Sequence, residues 1–234
     1  MQKSPFSAHR KIQKDDIGAF GYFYSSTIIL LDLQPAINVI MSKPLDYKPL
    51  QTYLNKFALL DEREWQSFNE LLFIRHFDKK EIFQAAGKQC KTVGFVMEGC
   101  FRWVKNHNGE ERTFDFAIEQ EFVTNYYSIL TKKPSEVDII AIERSILVCV
   151  DADKLLQLFD STFSWQKIGR HLAEHTACYC LERLVAAYYE SPQTRYKHLM
   201  MTAPELFLRI PHYILANYLG MTKETLSRLR NPVK

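Results

Sequence analysis

Near its C-terminal end the sequence reads PHYILANYLGMTKETLSRLR (residues 211–230), and this stretch limits the fold more than any other. Ile214, Leu215 and Tyr218 recur at helical spacing. Pro211 suits the first position of that helix, where a missing N–H is no loss. Gly220 falls where the helix must stop and the chain reverse, a position that favours φ > 0 and therefore glycine. Thr222 is placed to cap a second helix, with Glu224 in its first turn, where negative charge suits the helix dipole. Leu226 and Leu229 then face back towards Leu215 and Leu219. A small residue (Ala216), a glycine four places on and an apolar residue six beyond that let two helices close around a tight turn. An ordinary helical hairpin would share that inner spacing. The outer side chains Lys223, Glu224, Thr225, Ser227, Arg228 and Arg230 point further, because they are types that bond base edges and phosphates.

The segment LGMTKETLSRL (residues 219–229) resembles the recognition element of the cyclic-AMP receptor protein / fumarate–nitrate regulator family of bacterial transcription factors. The resemblance implies an α+β chain with an N-terminal cyclic-nucleotide-binding-type β-roll (a jelly roll), a long dimerisation helix and a C-terminal helix-turn-helix domain. The expected boundaries are an extension over 1–40, the roll with a helical lead-in over 41–160, the dimerisation helix over 161–191 and the DNA-binding domain over 192–234. Charge agrees in sign. From Gln193 to Lys234 there are seven Lys/Arg against two Asp/Glu, leaving 23 against 25 in the rest of a chain with 30 and 27 overall. Positive charge therefore gathers where phosphates would be met.

Residues 1–40 lie outside the resemblance. Lys3, Arg10, Lys11 and Lys14 precede an apolar run, Thr27 to Leu33, interrupted by Asp32. The run is too short to span a bilayer and lacks the cleavage site of a signal peptide. Two readings stand: an upstream extension of a reading frame that starts at Met41, or an apolar arm. The five cysteines (Cys90, Cys100, Cys149, Cys178, Cys180) form no CxxC pair, which reads as reduced thiols in a cytoplasmic protein. They also lack the closely spaced N-terminal set with which the family's oxygen sensors hold an iron–sulfur cluster.

Helical spacing from Tyr47 to Phe73, with Asp61 as a cap between two helices, predicts the lead-in. From Phe77 to Val150 the period changes to two. Phe101 and Trp103 alternate with Arg102 and Val104, and Thr113 and Asp115 with Phe114 and Phe116. Asn108-Gly109 between these runs is the strongest short-range hairpin signal. Further strands are expected over Thr92–Met97, Ile139–Ile142 and Ile146–Val150, and several short strands argue a small barrel or jelly roll. A short helix over Asp151–Phe159 and a long one from Ser164 to Glu190, ended by Ser191-Pro192, follow. On the long helix Trp165, Ile168, Leu172 and Tyr179 make one stripe, and Leu181, Leu184, Val185 and Tyr188 another. A stripe that shifts round suits contact with the roll and with a twin helix, although a single buried helix would show apolar stripes too. Thr202-Ala-Pro-Glu205 reads as a capping box opening another short helix. Family members often continue past the recognition helix into a β-hairpin wing; with four residues after Arg230, the expectation is that any wing contribution is absent or supplied from before Pro211.

Cyclic-nucleotide binders of the family carry a Gly-Glu pair and then an Arg-Ser pair that hold ribose and cyclic phosphate. Aligned on Phe122 and Ala141, those positions hold Thr124 and Asn125, then Ser135 and Glu136. The cation is gone, with Ser135 in its place, and the Glu136 carboxylate stands near where the phosphate would be, so cyclic AMP is not the expected ligand. Thr124, Asn125, Tyr126, Tyr127 and Ser135 remain candidates to line a pocket for an uncharged or cationic effector, or else ordinary core.

The resemblance implies a homodimer on an inverted repeat of double-stranded DNA, with RNA polymerase as a further partner and no membrane. Glu224, Ser227 and Arg228 would read bases, with Lys223 as a further candidate reader, and Thr222, Thr225 and Arg230 would hold phosphates. An enzyme on a similar barrel would need two or three histidines and a carboxylate converging on the strands, which offer His107. His171, His175 and Asp160 do not make a metal set by spacing, and no cofactor is read. The competing reading is a ligand-sensing or interaction protein whose DNA-binding head is silent.

Overall fold

The computed structural model describes residues 46–230; the expectations for residues 1–40 and for the last four residues lie outside them. Two short helices come first, α1 (Lys48–Leu54) and α2 (Glu62–Asn69). Asp61 caps α2 as its position predicts. Its carboxylate accepts the Glu64 N–H at 2.8 Å while Glu64 accepts the Asp61 N–H at 3.0 Å, so two orphan donors are satisfied reciprocally. The helical pattern read as far as Phe73 stops sooner, because Phe73 opens the first strand.

Eight strands follow: β1 (Phe73–Phe77), β2 (Ile82–Gln84), β3 (Thr92–Glu98), β4 (Phe101–His107), β5 (Glu110–Ala117), β6 (Phe122–Val123), β7 (Asp138–Ala141) and β8 (Ser145–Asp151). They form two four-stranded antiparallel sheets, β1-β8-β3-β6 and β2-β7-β4-β5. Phe77, Val96, Val123, Leu147 and Cys149 from the first sheet meet Phe83, Phe101, Ala117, Ile139 and Ala141 from the second in one buried cluster. Burying a side chain of this size is worth about 1.5–3 kcal/mol, so the cluster binds the sheets into a roll. Burial pushes the Cys100 and Cys149 thiols up to about 12, which keeps them protonated and inert.

The hairpin falls where it was read: Asn108 and Gly109 carry φ of 55° and 85°, the left-handed pair that matches strand twist. The alternation after it needs correction. Trp103 pairs with Asp115 but Val104 pairs with Thr113, so Phe114 is the extra residue of a β-bulge and the inward face switches there. Thr113 is buried and Phe114 is exposed, the reverse of what hydrophobicity suggests.

After α3 (Tyr126–Thr131), inside the roll's β6–β7 connection, and α4 (Ala152–Phe159), the long helix α5 runs Phe163–Tyr189. Trp165 and Ile168 are buried, whereas Leu181, Leu184, Val185 and Tyr188 are exposed by 61%, 53%, 55% and 79%. Then come α6 (Pro192–Thr202), α7 (Leu206–Arg209), α8 (His212–Leu219) and α9 (Lys223–Arg230). The expected capping box at Thr202 is absent. Thr202 ends α6 and its hydroxyl donates back to the His198 carbonyl at 2.9 Å, while α7 has no side-chain cap. Among the described residues no helix is long and apolar enough to cross a membrane.

Gly99, between β3 and β4, has φ +105°, and a Cβ there would stand 2.7 Å from the Ser145 Cα. Gly87 has φ +79° with nothing within 4 Å of its missing Cβ. Gly87→Ala should therefore cost only the backbone strain, about 1–2 kcal/mol. Gly99→Ala, which adds an overlap with backbone, should cost more and lower the melting temperature further. Equal melting temperatures for the two variants would contradict this account of the roll.

Candidate nucleic-acid interface and ligand pocket

The last two helices are held by backbone geometry first. Gly220 adopts φ +72°, ψ 37°, and the Met221 N–H donates to the Ala216 carbonyl at 3.0 Å, which closes α8 in the left-handed turn that glycine permits. Pro211 stands one place earlier than expected, as the extended residue before α8 rather than its first helical residue. Thr222 caps α9: its hydroxyl oxygen accepts the Thr225 N–H at 3.2 Å. Leu226 is fully buried among Ile214, Leu215, Leu219 and Phe207, so the second helix cannot roll on the first without opening a cavity.

That leaves one face of α9 open. Lys223, Glu224, Ser227 and Arg228 are exposed, and Thr225 and Arg230 are half-buried. The Thr222 and Thr225 hydroxyls lie 3.1 Å apart and bond each other. Arg230 meets the His212 ring, and the Lys223 ammonium lies 5.6 Å from the Tyr213 ring centre. The Glu224 carboxyl is held below its ordinary range by its own backbone N–H and the Thr222 hydroxyl. It is therefore ionised at neutral pH and purely an acceptor.

The face of α8 turned away from α9 meets the roll. β5 is an edge strand, and Asn217 completes it: its carboxamide oxygen accepts the Thr113 N–H at 2.7 Å and its nitrogen donates to the Glu111 carbonyl at 2.9 Å. The long helix meets the same strand at the bulge. Arg183 donates to the Phe114 carbonyl at 2.7 Å, and the Tyr179 hydroxyl to Asp115 at 2.6 Å. Arg183 also bonds the Tyr218 hydroxyl and lies 4.7 Å from that ring's centre. Burial pushes the Asp115 carboxyl up, opposed by the Tyr179 hydrogen bond and the Arg183 charge. Roll, long helix and C-terminal helices therefore meet at one short piece of sheet edge. No sequence signal marked Asn217, Arg183 or Asp115 for this role.

The five candidate pocket residues are brought together only in part. Asn125 caps α3 by accepting the Ser128 N–H at 3.1 Å and donates to the Ser135 hydroxyl at 2.8 Å. Ser135 in turn donates to the Val137 carbonyl at 2.6 Å, and Thr124 to the Thr92 carbonyl at 3.0 Å. Tyr126 is half-buried, while Tyr127 lies on the surface with 61% exposure. Glu136 is exposed and pairs with Lys105 at 2.6 Å, so its charge is met by a neighbouring strand. Thr124, Asn125 and Ser135 act first as struts of the β6–β7 connection.

Residues 74–162 match the family model of the cyclic nucleotide-binding domain. The match spans the roll, α4 and the turn into the long helix. No curated protein matches the chain in sequence. Among solved structures it is similar to FixK2 from Bradyrhizobium japonicum, with 17% identity, a TM-score of 0.57, and coverage of 68% of this chain and 82% of that one. A CooA variant from Carboxydothermus hydrogenoformans gives 15% identity, a TM-score of 0.57, and coverage of 70% and 77%. The regulator CLP from Xanthomonas campestris gives 18%, 0.54, and coverage of 72% and 89%. At such identities the likeness is one of fold: a cyclic nucleotide-binding-type roll followed by a long helix.

Proposed function

We propose that this chain is a sequence-specific DNA-binding transcriptional regulator that acts as a homodimer on an inverted repeat. The observation that carries the reading is the open face of α9. Lys223, Glu224, Ser227 and Arg228 stand exposed on a helix whose position is fixed by buried Leu226 and the Gly220 turn. A helix so held enters the major groove by its N-terminal end. Arg228 forks onto guanine O6 and N7, and ionised Glu224 accepts from cytosine N4, each worth roughly 1–3 kcal/mol of discrimination. Ser227 and Lys223 complete the base readers. Thr222, Thr225 and Arg230 bond phosphates and set register, which carries no sequence information.

The second half of the long helix supports a two-fold partner. Leu181, Leu184, Val185 and Tyr188 are exposed in this chain, and their spacing makes one stripe of the kind that packs against a second helix. The resulting regulator is cytoplasmic, with RNA polymerase as its further partner. Its effector is not cyclic AMP, because the polar residues of the β6–β7 connection bond one another and Ser135, with Glu136 beside it, stands where the phosphate-binding cation would be. An uncharged or cationic molecule at Thr124, Asn125, Tyr126, Tyr127 and Ser135 regulates it, or the protein binds constitutively and its level is the signal.

Arg228→Ala should abolish preference for a selected operator while leaving binding to scrambled duplex nearly unchanged; equal loss on both would remove Arg228 from base reading. Cys178 and Cys180 test the seam independently of DNA. Both are exposed in the single chain, but Cys178 shares the register of Leu181, Val185 and Tyr188. Cys178 should therefore resist thiol reagents in the dimer and react on dilution to monomer, while Cys180 reacts in both. Equal reactivity of the two thiols at every concentration would contradict a seam along this stripe.

A further inference from the structure

The C-terminal helices are tied to the roll by more than the chain that leads to them. Arg209, the last residue of α7, directs four of its five N–H donors at two carboxylates of the roll. Nη1 and Nη2 reach the two oxygens of Glu119 at 2.7 and 2.8 Å, and Nε and Nη2 reach Glu143 Oε1 at 3.0 and 2.5 Å. Glu119 belongs to the turn after β5 and Glu143 to the turn after β7, so one guanidinium bridges two turns of the roll. Glu119 is anchored from behind by the Gly99 N–H at 2.8 Å. Burial works to raise the Glu119 carboxyl, but its hydrogen bonds to Arg209 win and hold it below the ordinary range. The contact is therefore ionic at neutral pH. Its three side chains retain 24%, 36% and 35% of their exposure for Arg209, Glu119 and Glu143, so water screens it only partly.

This clamp and the Asn217 carboxamide on the β5 edge share two properties. Both have fixed directions: a planar fork on a carboxylate and a donor–acceptor pair on a strand. The apolar cluster that joins Cys100 and Ile142 of the roll to Leu206, Phe207 and Ile210 gives adhesion without direction. Neither contact uses Lys223, Glu224, Ser227 or Arg228, which stay exposed. The attachment therefore does not mask the reading face. It fixes where that face points.

We infer that Arg209, with Glu119 and Glu143, and Asn217 are spacing determinants: by fixing the C-terminal helices on the roll they set the separation of the two reading helices in the dimer. The inference rests on the DNA-reading, two-fold protein proposed above. Two reading helices on rigid arms accept half-sites at one separation near a helical turn. Released from the roll, each still reads its half-site, but the gain from simultaneous engagement spreads over several separations.

The test uses the full-length protein and an inverted repeat that it selects from a random pool, remade with the spacer lengthened and shortened one base pair at a time. The wild type should show one sharp optimum. Arg209→Gln combined with Asn217→Ala should lose about tenfold at that optimum, as expected when effective concentration is diluted. Other spacers should fall less, and a single half-site should bind as in the wild type. The Thr113 amide should exchange faster in the variant without DNA. Glu119→Gln with Glu143→Gln attacks the clamp from the other side and serves where the first variant melts early. A wild-type spacing profile in a folded variant overturns the inference. So does a wild type that binds every spacer alike; if it still prefers its selected half-site over scrambled sequence, the DNA-reading assignment survives that failure, and if it does not, both fall.

Discussion

An edge strand presents a row of N–H and C=O groups that must be satisfied by something, and in this protein that requirement joins its parts. On β5, the Thr113 N–H and the Glu111 carbonyl are taken by Asn217, and the carbonyl of the bulged residue Phe114 by Arg183. The first partner comes from the C-terminal helices and the second from the long helix. A change in how β5 lies would be felt at once by both, because each has given up solvent for that edge. Tyr218 closes the triangle, packed against Phe116 at 4.8 Å between ring centres and bonded to Arg183. The β5 edge thus touches both the C-terminal helices and the long helix.

The β6–β7 connection is held by its own polar side chains. Asn125, Ser128 and Ser135 form a short relay that pins α3 to the loop before β7, and Thr124 ties β6 to β3. A ligand entering there must replace these bonds with its own, since a buried polar group left unpaired costs about 1–3 kcal/mol. The buried Cys90 also belongs to this relay, its N–H donating to the Ser128 hydroxyl at 2.9 Å.

What could be read from the sequence was what residues do to their own neighbourhood. Asp61 caps, Asn108-Gly109 turns, Gly220 stops a helix and Thr222 starts one because each effect is decided within about four residues. The stripe on the long helix was legible for the same reason. The strands β2 and β6, of three and two residues, are too short for a period of two to register. The bulge at Phe114 left no mark, because polar and apolar residues go on alternating in the sequence while the inward face switches. Thr202 misled: its spacing to Glu205 fits a capping box, but α6 extends through it and offers the His198 carbonyl instead. Asn217 and Arg209 were beyond local reading altogether, since their partners lie 66 to 106 residues away.

The most direct measurement of the account is the affinity of the wild-type dimer for its selected inverted repeat and for the same bases scrambled, each followed across salt concentration. Phosphate contacts should make both affinities fall steeply with salt, and base reading should keep the matched duplex roughly a thousandfold or more tighter throughout. Curves that coincide at every salt concentration would mean that the open face of the final helix reads no sequence, and the assignment of this chain as a regulator would fail.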